Sequence, residues 1–222
     1  EMEDPSVKYE FRLATKEDYD EMLEVALNGF IPNEPHAMGL DVTPTQATPL
    51  VDWIVKKCLE EPFSMLVIEK ATGKVAGIRL YSTGHRDDSK DFNPFDLDVE
   101  AFPENVQKLC SLLDNLKKKI WQIEPETNKI LRQEISFVDP AHQRRGIATH
   151  LLHYGLDFAK LKEDGFDGIQ AEATSFANQN LLRKNGYQVL AQTTPEDYVL
   201  PNGSTVQLPN DTEDMHLCYL RL

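Results

Sequence analysis

The stretch Phe137-Val-Asp-Pro-Ala-His-Gln-Arg-Arg-Gly-Ile-Ala-Thr149 decides how this chain is read. The residues from Ile135 to Val138 are apolar and strand-like, and they run into a turn at Asp139-Pro140. A basic loop with one glycine follows, Gln143-Arg144-Arg145-Gly146-Ile147-Ala148, and it opens directly into a helical pattern. A strand that feeds a helix through such a loop aims several backbone N–H groups at one point. The unpaired donors of the first helical turn and the positive dipole end favour an anion there. Gly146 lets the backbone approach closely, Ala148 intrudes little, and Arg144 and Arg145 add fixed positive charge. The implied anion is a phosphate, most simply a pyrophosphate. Other phosphate loops fit worse: G-x-G-x-x-G needs three glycines, and G-x-x-x-x-G-K-[ST] is absent. The plainer alternative is a surface turn carrying two solvated arginines.

Downstream, the pattern predicts a helix from Gly146 to about Asp164, ended by Gly165. A strand over 169–174, a short helix over 176–185 stopping at Gly186, and strands over 187–192 and 215–222 complete this half. A polar loop with Pro201-Asn202-Gly203 and Pro209-Asn210 separates the last two strands. Upstream, residues 8–13 alternate like a strand, and Thr15 with Asp18 forms a capping box. Tyr19, Met22, Leu23, Ala26, Leu27 and Phe30 recur at helical spacing, and Pro32 and Pro35 bracket a turn over 31–36. Thr48-Pro49 reads as a cap followed by the first position of a helix one side of which carries Leu50, Trp53, Ile54, Lys57 and Cys58. Strands over 63–69 and 75–81 flank a hairpin turn at Thr72-Gly73-Lys74. An acidic, irregular stretch over 84–100 leads to a helix that starts at Phe102-Pro103 and carries Val106, Leu109, Cys110, Leu113, Leu116 and Ile120. The strand before the basic loop spans 129–138. The order predicts an α/β chain with a mixed sheet. Antiparallel hairpins precede the loop, and a right-handed crossover passes through it.

At 222 residues the chain is expected to form one domain, 1–222, with a helical insert at about 84–126. No segment approaches the ~20 apolar residues of a membrane span. The acidic start, Glu1-Met2-Glu3-Asp4, does not read as a signal peptide. Cys58, Cys110 and Cys218 lie far apart with no C-x-x-C, which reads as reduced thiols of a cytoplasmic protein. The six histidines form no convincing ligand set, so no metal is expected; His142, His150 and His153 read as surface positions. A formal charge of −14 argues against nucleic acid as a partner. It suits a cationic substrate gathered by a negative field, or simple solubility.

Q/R-x-x-G-x-G/A after a strand ending in Val-Asp resembles the acetyl-CoA loop of the GNAT superfamily of N-acetyltransferases, and the order of elements is similar along nearly the whole chain. Three further places resemble the insect-type arylalkylamine N-acetyltransferases: Asn33-Glu34-Pro35, Ala171-Glu-Ala-Thr-Ser175, and Leu182-Arg-Lys-Asn-Gly-Tyr187. The long helix near 103–121 adds to that likeness. The resemblance implies a central twisted sheet whose strand before the loop is bulged and splays from its parallel neighbour, with acetyl-CoA in the gap. It implies acetyl-CoA contacts at Phe137, Val138, Gln143, Arg144, Arg145, Gly146, Ile147, Ala148 and Thr149, and no metal.

The implied reaction moves an acetyl group from acetyl-CoA to the primary amine of a small amine, an arylalkylamine such as dopamine, serotonin or tryptamine. A free alkylamine is almost wholly ammonium near neutrality, as lysine is, so a base must remove a proton. The resemblance places that base at Glu34. A carboxylate with prolines on both sides of its turn is held at a defined angle. Glu134, in the strand beside the acetyl group, is the rival, with a salt-bridged strand position as its plainer role. Thr174, Ser175 and Asn178 fall where the branch handles the proton of the leaving thiolate, although two hydroxyl residues are the pattern there and this chain has Asn178. They are equally suited to capping the short helix. A tyrosine that many GNAT enzymes use as general acid is replaced by Leu182. Phe30, Trp53, Phe92, Phe95 and Trp121 are candidates for an aromatic pocket or for core, with Trp53 assigned to core. The alternatives are a catalytically weak acyl-CoA-binding module with a regulatory role, or an acetyltransferase of polyamines or protein lysines. A monomer or weak dimer without nucleic-acid or membrane partners completes the expectation.

Overall fold

A computed structural model describes residues 3–222; the expectation for Glu1 and Met2 lies outside the described residues. The strands are β1 (Tyr9–Leu13), β2 (Met65–Glu69), β3 (Val75–His85), β4 (Lys129–Val138), β5 (Gly168–Ala173), β6 (Gln188–Gln192) and β7 (His216–Arg221). The helices are α1 (Tyr19–Val25), α2 (Ile31–Asn33), α3 (Pro35–Gly39), α4 (Pro44–Cys58), α5 (Glu104–Lys117), α6 (Ile120–Ile123), α7 (Ile147–His153), α8 (Phe158–Glu163) and α9 (Phe176–Lys184). One seven-stranded sheet runs β1-β2-β3-β4-β5-β7-β6. Every neighbour is antiparallel except β4 and β5, which are joined by the crossover through the basic loop.

Apolar side chains alternate between the faces of the sheet. On β2, Leu66 joins the large core under α1, α4 and α5, while Met65 and Val67 pack with Ile147 and Leu151 of α7. On β4 the alternation breaks. Ile130, Ile135 and Phe137 share one core although their spacing is odd, and Leu131 lies in the other. Strict alternation would send Ile135 to the opposite face from Ile130. The register against β3 explains it: Leu80 pairs with Ile135 and Tyr81 with Gln133, so Glu134 is the extra residue of a β-bulge.

Two expected helices are corrected. The helix assigned to start at Thr48-Pro49 begins at Pro44, with Thr43 as its cap. Thr43 Oγ1 accepts the Gln46 N–H at 3.2 Å, and Gln46 Oε1 accepts the Thr43 N–H at 3.0 Å, a reciprocal box that Thr48-Pro49 lacks. Pro49 lies inside the helix. The single helix expected over 146–164 is two, α7 and α8. The chain leaves α7 at Tyr154 (ψ 130°) and turns through Gly155 at φ 71°; Asp157 then caps α8. Arg79, only 1% exposed, reaches from β3 to this break. Its Nη1 donates to the carbonyls of Leu151 (2.6 Å) and Tyr154 (2.9 Å), and its Nε and Nη2 donate to that of Phe63. A buried guanidinium thus satisfies the open end of α7. β3 also extends to His85, past the predicted end at 81.

Candidate active site

The basic loop is built as a cradle. Asp139 accepts the Ala141 N–H and starts a short 3-10 turn over Pro140–His142. Arg144 and Gly146 have positive φ, 60° and 77°, which bends the chain into the first turn of α7. Val138, His142, Gln143, Arg144, Gly146, Ile147, Ala148 and Thr149 line a hollow of about 220 Å³. The two arginines part ways. Arg144 lines the hollow, whereas Arg145 donates to Tyr9 Oη (2.9 Å) and the Ala141 carbonyl (3.1 Å), bracing the loop against β1. Ile147 is buried in the core beneath.

Beside the cradle the sheet opens. β4 and β5 pair only from Ile130↔Gly168 to Gln133↔Ala171. From Ile135 to Val138, β4 stays paired with β3 but has no strand on its other side. The bulge at Glu134 sits where the pairing with β5 stops. Gln143 Nε2 donates to the Val138 carbonyl at 3.1 Å, tying the end of the open edge to the loop. A cavity of about 420 Å³ passes through this gap; its walls include Gln143, Val138, Phe137, Glu34, Thr174 and Glu172.

Glu34 enters from the opposite wall. Pro32 and Pro35 do not bracket a simple turn, as expected, but start the short helices α2 and α3. Glu34 lies between them in extended conformation, φ −85° and ψ 121°, as the residue before a proline prefers. Its Oε2 accepts the Ala37 N–H at 2.6 Å and caps α3. Its Oε1 is buried without a hydrogen-bond partner. The whole residue is 5% exposed. Upstream, residues Ala26–Phe30 form a π-helical turn. Gly29 there packs on the Phe137 ring so closely that a Cβ would stand 2.7 Å from its edge. This contact locks the Glu34 segment to the open strand.

Across the cavity, Thr174, Ser175 and Asn178 all line the wall. Ser175 is the cap of α9, its Oγ accepting the Asn178 N–H at 3.2 Å. Leu182 is fully buried in the core. The general-acid position therefore holds packing, not chemistry.

The far end of the cavity is charged, which the sequence reading missed. Its walls hold the carboxylates Glu34, Asp114, Glu134 and Glu172 and the cations Lys57, Lys117 and Arg132. Glu134 accepts from Lys117 Nζ (3.0 Å) and Ser82 Oγ (2.7 Å). Burial pushes its carboxyl up, but Lys117, Arg132 and the two hydrogen bonds outweigh burial and hold it at about 2. A carboxylate so acidic is a poor base at neutral pH. Burial raises Glu172, whose hydrogen bond comes from Gln170 Nε2 at 2.8 Å. Burial lowers Lys57, whose ammonium lies 4.7 Å from the centre of the Trp53 ring and 3.3 Å from Asn93 Oδ1. The signal for this cluster was available only as isolated charges inside apolar helix and strand patterns.

Of the aromatic candidates, Phe30 and Trp53 line the cavity; Trp53, assigned to core, is corrected to a wall residue whose indole N–H donates to the Phe95 carbonyl. Phe92 and Phe95 are exposed, and Trp121 lies against Arg86 and Arg132. The histidines read as surface positions are half-buried. His142 bonds Tyr9 Oη, His153 bonds Tyr187 Oη, and His150 packs between Phe11 and Tyr154. Among the described residues no group of three His, Cys, Asp or Glu side chains is placed to hold a metal ion. Nor is any helix among them long and apolar enough to cross a membrane.

Residues 120–187, from α6 through the cradle to Tyr187, match the model of the acetyltransferase (GNAT) family. Three solved structures superpose on nearly the whole chain. Arylalkylamine N-acetyltransferase 2 from Aedes aegypti is 20% identical at a TM-score of 0.79, covering 96% of this chain and 98% of its own. A mosquito arylalkylamine N-acetyltransferase like 5b is 17% identical at 0.76, covering 96% and 100%. Polyamine N-acetyltransferase from Drosophila melanogaster, which forms N-acetylagmatine, is 13% identical at 0.75, covering 96% and 100%. Against curated protein sequences the chain has no significant match. The chain has the GNAT fold and resembles the insect arylalkylamine N-acetyltransferases in it.

Proposed function

We propose that this protein is an acetyl-CoA:amine N-acetyltransferase acting on a small arylalkylamine in a ternary complex, with Glu34 as general base. The observation that carries the reading is the path from the cradle, along the unpaired edge of β4, to Glu34, which lines the cavity and whose buried Oε1 has no hydrogen-bond partner. The loop from Gln143 to Thr149 holds the pyrophosphate, with Arg144 beside it and Arg145 bracing the loop. Main-chain groups near Phe137 and Val138 pair with the pantetheine arm in place of a strand. The ammonium gives a proton to Glu34 Oε1, directly or through water, and the freed lone pair attacks the thioester carbonyl. The tetrahedral adduct collapses, the C–S bond breaks, and the second proton on nitrogen passes to the departing thiolate as the neutral amide and CoA thiol form. The thiolate of CoA leaves with little help, since a thiol pKa lies near ~8.5. Thr174, Ser175 and Asn178 stand where its proton is restored. The free cysteines fit a reducing cytoplasmic setting.

A second acceptor class is favoured by one observation: four carboxylates against three cations line the cavity, and Glu172 faces it without a direct cationic bond. That suits a diamine or polyamine, whose second ammonium Glu172 would hold. Release of CoA thiol across a panel of arylalkylamines, diamines and amine-free controls is the test. Turnover with arylalkylamines in preference to diamines supports the first reading, and the reverse preference the second. Tight acetyl-CoA binding with no turnover on any amine overturns both and leaves a binding module.

A further inference from the structure

His36 has no part in the chemistry above, yet it is fully buried and sits two residues from the base. Its ring nitrogens are both engaged. Nδ1 lies 3.0 Å from the Thr174 carbonyl and Nε2 lies 2.8 Å from Tyr198 Oη. Tyr198 Oη is 2.7 Å from Thr193 Oγ1, which accepts the Met215 N–H at 2.9 Å.

Both ends of this chain are backbone groups with fixed roles. A carbonyl only accepts, so Nδ1 of His36 carries a hydrogen. An amide N–H only donates, so Thr193 Oγ1 accepts there, and Tyr198 Oη is the one partner left for its own hydrogen. Tyr198 then donates to Nε2, which must be bare. Every group is satisfied only if the imidazole is neutral and of the Nδ1–H form. Burial pushes the Tyr198 hydroxyl up to about 12, so it stays a donor across the working range. Asp197 and Asp214 face Tyr198, and Glu34 faces His36.

The other consequence is mechanical. Thr174 directly follows β5 and lines the cavity, and His36 is buried in α3. The same Nδ1 is 3.5 Å from Glu34 Oε1, at the outer limit of a hydrogen bond, while it bonds the Thr174 carbonyl at 3.0 Å. The ring therefore ties the segment that bears the base to the chain leaving β5, and Oε1 keeps no hydrogen-bond partner.

We propose that His36 is a positioning residue for the base: a neutral imidazole, locked by Tyr198 in its Nδ1–H form, that ties α3 to the Thr174 carbonyl beside the cavity and so leaves Glu34 Oε1 without a hydrogen-bond donor. The proposal rests on the reading of Glu34 as the base. An imidazolium at this distance would favour the ionised carboxylate and weaken it as an acceptor. Tyr198 prevents that by filling Nε2.

The first test uses the intact protein labelled with ¹⁵N-histidine. The His36 ring is expected to show the Nδ1–H tautomer at pH 7; an Nε2–H or doubly protonated ring overturns the proposal. The second compares pH profiles of kcat for wild type, Tyr198→Phe and Glu34→Gln. Tyr198→Phe frees Nε2 to take a proton. It is expected to lose about tenfold in kcat at pH 6 relative to wild type, a fraction of the full worth of the base. Little loss is expected at pH 8.5, with the KM for acetyl-CoA unchanged. His36→Asn, whose amide keeps a donor near the Nδ1 position, should retain more activity than His36→Ala. If Glu34→Gln is slow but Tyr198→Phe runs parallel to wild type at every pH, the base stands and the proposal falls. If Glu34→Gln turns over normally, base and proposal fall together.

Discussion

The cradle and the acceptor end of the cavity are built on opposite plans. The cradle comes from one continuous stretch, Val138 to Thr149, and its working groups are backbone donors shaped by two positive-φ residues. The acceptor end is collected from α2, α4, α5, β4 and β5, and its working groups are charged side chains held by partners far away in sequence. A backbone site tolerates changes of side chain but not of conformation. A side-chain site tolerates neither the loss of a partner nor the exposure of a buried charge. Mutations should therefore separate the two ends cleanly.

The largest effect is expected at the acceptor end. Glu34→Gln keeps the shape of the side chain and removes its basicity. A single acid–base group contributes about 10²–10⁴-fold, so kcat should fall within that range while acetyl-CoA affinity holds. The deficit should shrink as the pH approaches the amine's own pKa, because unprotonated amine then arrives without help. A normal rate, with a folded but dead Glu134→Gln, would move the base to the bulge.

Next comes Lys117→Met, which strips Glu134 of its partner inside the wall. Breaking a buried pair costs about 3–5 kcal/mol because the remaining charge is uncompensated, and urea unfolding at neutral pH should show it. The sign of the pH effect follows from the depressed carboxyl of Glu134. Its contribution to stability is present above the unfolded value of 4.5 and is lost as pH falls through about 2. Wild type should lose stability over that window, and Lys117→Met should lose less. Equal acid profiles would deny the pair any role in stability.

At the cradle, Gly146→Val should act through conformation. A Cβ there would meet little, only Pro5 Cδ at 3.9 Å, but φ is +77°. A branched residue held at positive φ costs about 1–3 kcal/mol, so acetyl-CoA binding should weaken about 5- to 150-fold with the acceptor chemistry intact. Calorimetric titration of acetyl-CoA measures this; normal affinity in a folded variant removes the cradle assignment.

The smallest effect is expected for Ser175→Ala. Losing the cap of α9 should lower stability by about 0.5–2 kcal/mol. A stability loss with unchanged kcat would assign Ser175 to capping alone. A fall in kcat beyond the stability loss would give it the thiolate's proton as well.

Features whose physics is local were legible in the chain. The Thr15/Asp18 capping box, the hairpin at Gly73 and the basic loop each depend on residues within a few positions of one another, and each is present. Where two local signals competed, the reading chose wrongly. Thr43-Pro44 and Thr48-Pro49 look alike, and only the first has a glutamine three residues after its threonine to complete the box. The helix over 146–164 looked continuous because one glycine is a weak breaker. Arg79, 72 to 75 residues upstream of the carbonyls it bonds, made the break stable by capping α7.

By itself, then, the sequence determined the order of strands and helices, the basic loop that feeds α7 and the place of Glu34 between two prolines, because backbone conformation and capping are set by near neighbours. Only the tertiary structure decided the rest. The bulge at Glu134 depends on β3. The opening between β4 and β5 depends on where two strands stop pairing. The ion pair of Glu134 with Lys117 joins a strand to a helix, and the contact of His36 with Thr174 spans 138 residues. Such long-range pairings leave no periodic trace in either partner, so they become visible only when the fold brings the partners together.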